Sequence, residues 1–446
     1  MGKRIAINKK INNNIPLFSK KNESKIALGL ERIEKILEYF GNPQKKFESV
    51  TIAGTVGKGQ VTTEIAFELS RFGKIGLYTS PHLERFSERI KLVKDRKSQE
   101  ISEEEISHFS NEVWKAEIKK GVELTYFEHS TVMAFLFFAE NKVDFASCEI
   151  GLGGRLDAVA CAKSKIGVIS RIDKDHEDVL GNDLKSIAYE KALCVPPEST
   201  RITIHRKGEL QYEVIHQVSK GEIINDFWWE IKNEEKENFW YKIELLAFEE
   251  NKCKDGIEIN FFGIKPFLEN AVLSSFSSFF ILQRFFGKYI GKFDFDLKHI
   301  KGRFESFENI IYDGGHNPIS AKAIYQAIDD SIKDRKIKVL VSFRKDKKWR
   351  EFLKVLSPKI EELIITKFPD ERWEEAEKIK DFAEKEKIAP KIKIIPYEEA
   401  PFICADISKS GEIVLITGTF YIYELFKKAV HLLSSQTDMN SEGREK

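Results

Sequence analysis

At 446 residues the chain is long enough for two to four domains of ordinary size. Lys and Arg number 72 against 71 Asp and Glu, a net charge of +1, so no overall positive field exists to gather a polyanion and a nucleic-acid partner is not expected. Hydrophobic residues at 42%, with 26 Gly and 12 Pro, exclude a chain that is disordered throughout.

In chain order, residues 1–23 are basic and polar and read as a flexible arm with no apolar run of signal-peptide length. Ser24 is the expected N-cap of a helix whose Ile26, Leu30, Ile33, Leu37 and Phe40 share one face, ended by Gly41-Asn42-Pro43. Then come a strand over 49–53, the glycine turn GTVGKG, a helix over 60–73 and a strand over 74–80, a βαβ beginning. Apolar strands are expected at 143–150 and 165–170, giving a largely parallel sheet covered by helices. Between about 200 and 262, RITIHR, FWWEIK and FWYKIELLAF predict antiparallel hairpins attached to the same domain, and 269–287 a long buried helix. Strands near 309–313, 337–342, 362–366, 391–395 and 412–417, alternating with helices, predict a second, smaller, doubly wound Rossmann-like domain. The expected fold is therefore α/β with two domains, 24–298 and 299–434, and a disordered tail over 435–446. No window approaches the roughly 18 apolar residues of a membrane span. Cys148, Cys161, Cys194, Cys253 and Cys404 are scattered and form no Cys-x-x-Cys pair, so a reducing cytoplasm is expected, without disulfides or a thiolate zinc site.

The chemistry starts at Gly54, Thr55, Gly57, Lys58, Gly59 and Gln60, between an apolar strand and a helix. Glycines let backbone N–H groups face phosphate oxygens, the helix N-terminus favours negative charge, and Lys58 supplies a point charge. The turn is shorter than the usual phosphate loop, and Gln60 stands where Ser or Thr would serve. A plain Gly-rich turn with a solvent-facing lysine is the simpler alternative. Glu149 ends the strand VDFASCEI, where carboxyl ends of strands meet a ligand crevice and an acid can hold nucleotide-bound Mg²⁺. His176 follows the next strand and reads equally as a metal ligand or an ordinary surface or capping histidine. Asp313-Gly314-Gly315-His316-Asn317-Pro318 follows the first strand of the second domain and is expected to line a crevice, the alternative being a turn without a ligand.

Taken together, LERIEKILEYFGNPQKK, TIAGTVGKG, LYTSPHLERFSERI, LTYFE, CEIGLGGRLDA, DHEDVLG with IAYEKA, LENA, GRFE, YDGGHNP and TGTFYIYEL resemble, in this order, the folylpolyglutamate synthase and dihydrofolate synthase family of the Mur ligase superfamily. The resemblance runs from about residue 26 to 430. It implies an ATP-dependent amide ligase: a pterin-linked carboxylate takes the γ-phosphoryl group, and the amine of L-glutamate displaces phosphate from the acyl phosphate. By the same resemblance the phosphate loop cradles ATP, Ser80 and Glu149 hold one Mg²⁺ and His176 a second, and Lys191 falls where the family carries a carbamylated lysine. Unmodified, Lys191 reads as a helix-surface lysine. Asn270 and Arg303 match ATP contacts, Asp313 a position near the ribose, and His316 with Thr419 positions near the incoming amino acid. The oligomeric state is not readable, a monomer being the simplest reading. Departures from the family pattern are Val56 and Gln60 in the loop, Val159-Ala160 for Thr-Asn, LCVPPE after IAYEKA, and Asp346-Lys347-Lys348. They leave two other readings beside the ligase: a divergent paralogue that binds nucleotide or pterin without turnover, or a ligase with another carboxylate acceptor.

Overall fold

The computed structural model describes residues 21, 27–175, 177–181, 183–237, 239–249, 253–297, 300–332 and 335–442. The expected arm over 1–23, apart from Lys21, and the expected N-cap Ser24 lie outside the described residues. Two compact units emerge, residues 1–227 with 273–290, and 228–272 with 291–446.

The strands of the first unit, in chain order, are β1 (Glu48–Ala53), β2 (Ile75–Tyr78), β3 (Ile90–Lys94), β4 (Lys97–Glu100), β5 (Phe145–Glu149), β6 (Ile166–Ile169), β7 (Thr200–Thr203) and β8 (Ile223–Ile224). They form one sheet in the order β4-β3-β2-β5-β1-β6-β7-β8. From β2 to β8 every pairing is parallel, and β3 with β4 adds an antiparallel edge. The parallel strands β2, β5, β6 and β7 are buried on both faces, which explains their unbroken apolar text.

Helices described before residue 227 are α1 (Glu31–Tyr39), α2 (Lys58–Leu69), α3 (Glu103–Lys120), α4 (Tyr126–Glu140), the short α5 (Glu177–Leu180), α6 (Leu184–Ala192) and α7 (Leu210–Val218). Ser102 with Glu105 and Thr125 with Glu128 form capping boxes that start α3 and α4. One core gathers Ile33, Ile36 and Leu37 of α1, Val132, Phe135 and Phe138 of α4, and Val159. A second sets Ile187, Ala188 and Ala192 of α6 against Val214 and Ile215 of α7 and Ile169 of β6.

RITI was expected to be antiparallel. It is β7, parallel to β6 with Ile166 opposite Thr200, because α6 provides the crossover that a parallel neighbour requires.

A four-stranded sheet in the second unit comprises β9 (Phe227–Glu237, its first residue in the first unit), β10 (Trp240–Glu249), β11 (Cys253–Gly263) and β12 (Lys292–Asp296), in the order β12-β11-β10-β9. A six-stranded sheet comprises β13 (Glu305–Phe307), β14 (Ile310–Asp313), β15 (Ile337–Val341), β16 (Ile360–Ile365), β17 (Lys391–Ile394) and β18 (Val414–Thr417), in the order β13-β14-β18-β15-β16-β17. All of its pairings except β13 with β14 are parallel. The residues from 228 to 272 were expected to belong with the first domain. They group with the second unit, where Lys236 Nζ and Tyr241 Oη donate to the carbonyls of Ser331 and Asp330 and Trp240 Nε1 donates to Ser306 Oγ.

The remaining helices are α8 (Leu268–Ile281), within which the chain passes from one unit to the other, α9 (Pro318–Ile332), α10 (Trp349–Leu356), α11 (Ala376–Lys385), α12 (Ala400–Lys409) and α13 (Tyr423–Glu442). The tail expected from 435 is helical through Glu442. Ser434 and Ser435 donate their hydroxyls to the carbonyls four residues back, and a helix already nucleated extends at little cost. Among the described residues no helix is long and apolar enough to cross a membrane.

Candidate active site

In the first unit the carboxyl ends of β2, β5, β1 and β6, adjacent in the sheet, carry Ser80, Glu149, Gly54 and Ser170. The turn after β1 is built against the segment after β6. Thr55 N–H donates to Arg171 O at 2.8 Å, Ser170 Oγ donates to Val56 O at 2.7 Å, and Thr55 Oγ1 both donates to Asp173 O and accepts from Asp173 N–H. Gly54 has φ +146°, and a Cβ there would stand 2.0 Å from Ser170 Oγ, so any other residue would be strained and would displace the Ser170 side chain. Gly57, at φ +88°, is the left-handed residue that opens α2.

Two lysines converge on this turn. Lys58 Nζ donates to the carbonyls of Gly54 and Thr55 at 3.1 and 3.4 Å. Lys191 Nζ, on α6, reaches the same Gly54 carbonyl at 2.7 Å. Burial, and then the Lys58 ammonium, push the Lys191 amine down to about 7. The helix-surface reading of Lys191 is therefore overturned: it is 4% exposed. What brings it inward is the GLGGR loop. A Cβ on Gly154 would lie 2.4 Å from Glu190 O, and Arg155 N–H donates to that carbonyl at 2.9 Å, so the loop lies directly on the last turn of α6.

Glu149 is buried against the start of α2, with its Oε2 3.5 Å from where a Cβ on Gly59 would be, and it accepts Ser80 N–H at 3.0 Å. A carboxylate and a hydroxyl residue side by side form a hard-oxygen donor set, which suits Mg²⁺. His176 lies outside the described residues, and among those described no three His, Cys, Asp or Glu side chains cluster as a metal site. Gln60 is buried, with its amide directed to Glu64 at 2.9 Å.

The second unit gathers another group where β14 and β18 end, with Asp313 opposite Thr417. Asp313 is buried and accepts the N–H groups of Gly315 at 2.7 Å and Phe304 at 2.9 Å. Burial raises its carboxyl pKa, against the pull of Arg303. His316 Nδ1 lies 3.0 Å from Gly314 O, a group that only accepts, so Nδ1 carries a proton. The Arg303 guanidinium sits 4.7 Å above the Phe420 ring, His316 stands edge-on to that ring, and Thr419 caps the turn that holds it. Arg303, His316 and Thr419 are thus brought together around Phe420. Asn270 is buried in the first turn of α8.

Residues 302–420 match the family described as Mur ligase, glutamate ligase domain. The dihydrofolate synthase/folylpolyglutamate synthase of Haemophilus influenzae is 30% identical over 350 residues, which cover 76% of this chain and 78% of that protein. The chain belongs to the dihydrofolate synthase/folylpolyglutamate synthase family. The Bacillus subtilis member is 28% identical over 432 residues, 90% of this chain and 94% of its own length. A crystal structure of the bifunctional folylpolyglutamate synthase/dihydrofolate synthase from Yersinia pestis, complexed with AMPPNP and Mn ion, shares the fold at TM-score 0.72 and 24% identity, covering 94% of this chain and 96% of that one.

Within this family member, two departures have structural explanations. Val159 is fully buried in the core with α1 and α4, so its loss of polarity follows from packing. LCVPPE is wrapped around Arg201, itself fully buried, whose guanidinium donates to the carbonyls of Ala192, Val195, Pro196, Pro197 and Ser199 at 3.0–3.2 Å. Sequence reasoning missed Arg201, and it missed Asp157, which accepts three backbone N–H groups, from Gly151, Leu152 and Val159, and so shapes the GLGG loop. The signal for Asp157 was its place in an Asp-initiated turn directly after that loop. A cavity of about 790 Å³ beside β16 and β17, lined by Lys336, Pro358, Glu384, Lys387 and Pro390, contains none of the candidate residues.

Proposed function

We propose that the chain is an ATP-dependent ligase that joins L-glutamate to dihydropteroate, to tetrahydrofolate, or to both, through an acyl phosphate. The observation that carries this reading is the glycine turn after β1, with Lys58 at its helix start and Glu149 and Ser80 on the two neighbouring strand ends. Backbone N–H groups at the start of α2 and the Lys58 ammonium receive the triphosphate. The pterin carboxylate attacks the γ-phosphorus, the bond to ADP breaks, and an acyl phosphate forms. The glutamate amine then attacks the acyl carbon, and phosphate leaves. Accepting the proton that this amine must lose suits His316 Nε2 in the neutral ring, where Nδ1 keeps its proton toward Gly314 O.

Mg²⁺ would be held by Glu149 and Ser80, and when bound it neutralises phosphate charge in the transition state. A second ion at His176 is part of the same reading. Carbamylation of Lys191 is supported by its burial and by an amine pushed down to about 7, because only the neutral amine adds to CO₂, forming a carbamate and releasing a proton. Arg303 and Asn270 are assigned to ATP, Asp313 to holding Arg303 in place, and Thr419 to the amino acid. Small-molecule substrates, no nucleic acid and a reducing cytoplasmic setting complete the proposal; Cys148, Cys161, Cys194 and Cys404 are buried free thiols.

The test is ADP release by purified protein with Mg²⁺, ATP and glutamate, compared with dihydropteroate, with tetrahydrofolate and with neither. Pterin-dependent ADP release with a new glutamyl product is expected, and Lys58→Ala should lower it at least a thousandfold. Nucleotide binding without turnover on either acceptor would replace this reading with that of a binding protein.

A further inference from the structure

Helix α2, which begins at the phosphate loop, is buried along most of its length, yet Gln60, Glu64 and Glu68 lie on one face at four-residue spacing, 5%, 5% and 1% exposed. Two of them form a chain. Gln60 Nε2 donates to Glu64 Oε1 at 2.9 Å, and Ser274 Oγ of α8 lies 2.6 Å from Glu64 Oε2, within hydrogen-bond distance. Glu68 is paired with Arg71 and Arg96; among the described residues Glu64 has no cationic partner. An ionised carboxylate without a counter-charge is not tolerated at such a site.

We infer that Glu64 is a positioning residue for the phosphate loop: as a neutral carboxylic acid that accepts from Gln60 and donates its own proton to Ser274 Oγ, it fixes the first turn of α2, and with it Lys58 and Gly59, in the register that receives a triphosphate. The inference rests on the nucleotide reading of the loop and goes beyond it. It also accounts for Gln60, which departs from the usual hydroxyl residue at this point. A serine there is too short to reach Glu64 one turn on, so the longer amide and the buried acid are one device. The groups that face this chain are consistent with it. Glu68 lies one turn further along α2 and its charge opposes a second anion, α8 contributes the uncharged Ser274, and from β5 the Glu149 carboxylate lies beside Gly59. Burial pushes the Glu64 carboxyl up to about 8, so the acid is neutral below that value; as the pH passes through it, the proton given to Ser274 is lost and a second buried anion stands one turn from Glu68.

The test measures affinity for a fluorescent ADP analogue, independent of turnover, together with KM for ATP and kcat, from pH 6.5 to 9.5. For the wild type, ADP affinity should fall at least fivefold across that range, with the effect in KM rather than kcat. Glu64→Gln, neutral at every pH, should bind ADP within threefold of wild type at pH 7 and lose the alkaline fall. Glu64→Leu, if it melts cooperatively, should weaken ADP at least tenfold at every pH, and Gln60→Ala should do the same. An alkaline fall that persists in Glu64→Gln overturns the inference, as does wild-type ADP affinity in both Glu64→Leu and Gln60→Ala. A wild-type protein that binds no ADP analogue at any pH overturns the nucleotide reading itself.

Discussion

Replacing Lys191 with methionine removes a buried ammonium while keeping the length and most of the volume of the side chain. A drop in pKa from the ordinary 10.5 to about 7, at 1.36 kcal/mol per unit, means that the charged form costs about 5 kcal/mol more in the fold than in the unfolded chain. Against this stands the bond from Nζ to Gly54 O at 2.7 Å, a charge-assisted contact that contributes about 1.5–3 kcal/mol. The Gly54 carbonyl is not orphaned by the change, since Lys58 Nζ still reaches it at 3.1 Å. The net expectation is a gain of about 2–3 kcal/mol below pH 7, or about 5–10 °C in melting temperature for a unit of this size.

The sign depends on pH. Between about 7 and 10.5 the unfolded lysine holds a proton that the folded one does not, so wild-type stability rises with pH through that window. The gain in Lys191→Met should therefore be largest at pH 6 and fade toward pH 10. Thermal melts at pH 6, 8 and 10 of metal-free, nucleotide-free protein in bicarbonate-free buffer measure this, and a ligase assay should show the same variant at least a hundredfold slower. Destabilisation at pH 6, or a gain equal at pH 6 and 10, would refute the reasoning.

Gly154→Ala sets a methyl 2.4 Å from Glu190 O, backbone against side chain with no rotamer to relieve it. The α6 terminus must shift, at a cost of about 1–3 kcal/mol, and ADP-release assays of the folded variant should show at least a tenfold loss as Lys191 moves with it. Arg201→Met withdraws the donors from five backbone carbonyls at once. Each orphaned buried acceptor costs about 1–3 kcal/mol, so a loss of at least about 3 kcal/mol in urea unfolding is expected, whereas an unchanged midpoint would mean that the loop finds other donors.

What was legible in the sequence was whatever depends on local pattern. Parallel strands appear as short apolar runs closed by glycine turns, and β1, β2, β5, β6 and the five parallel strands of the second unit were placed within a few residues. The β3–β4 edge was not, because KSQE in β4 is exposed or half-exposed at every position and carries no alternation. β7 was misassigned because Arg201 breaks its apolar run, and a buried arginine looks like an exposed one until its five acceptors are assembled. The surface alternative for Lys191 failed for a related reason. Its position on α6 looks like surface, and only the docking of a loop almost forty residues earlier in the chain makes it interior. Gln60 and Glu64 stood at helical spacing in plain view, but the pairing has meaning only once Ser274 from α8 is brought to the same carboxylate.

The Asp313 carboxylate has one oxygen on the backbone of Phe304 and the other on that of Gly315. Arg303 and His316 flank those two anchor points, so the residue assigned to nucleotide and the residue assigned to the amino acid hang from a single bracket. They cannot be detuned separately by disturbing the bracket, and an Asp313 variant should weaken both ligands together. For anyone wishing to alter the choice of amino acid while leaving ATP alone, Thr419 is the position to change, and Asp313 and Phe420, on which Arg303 rests, are the ones to keep.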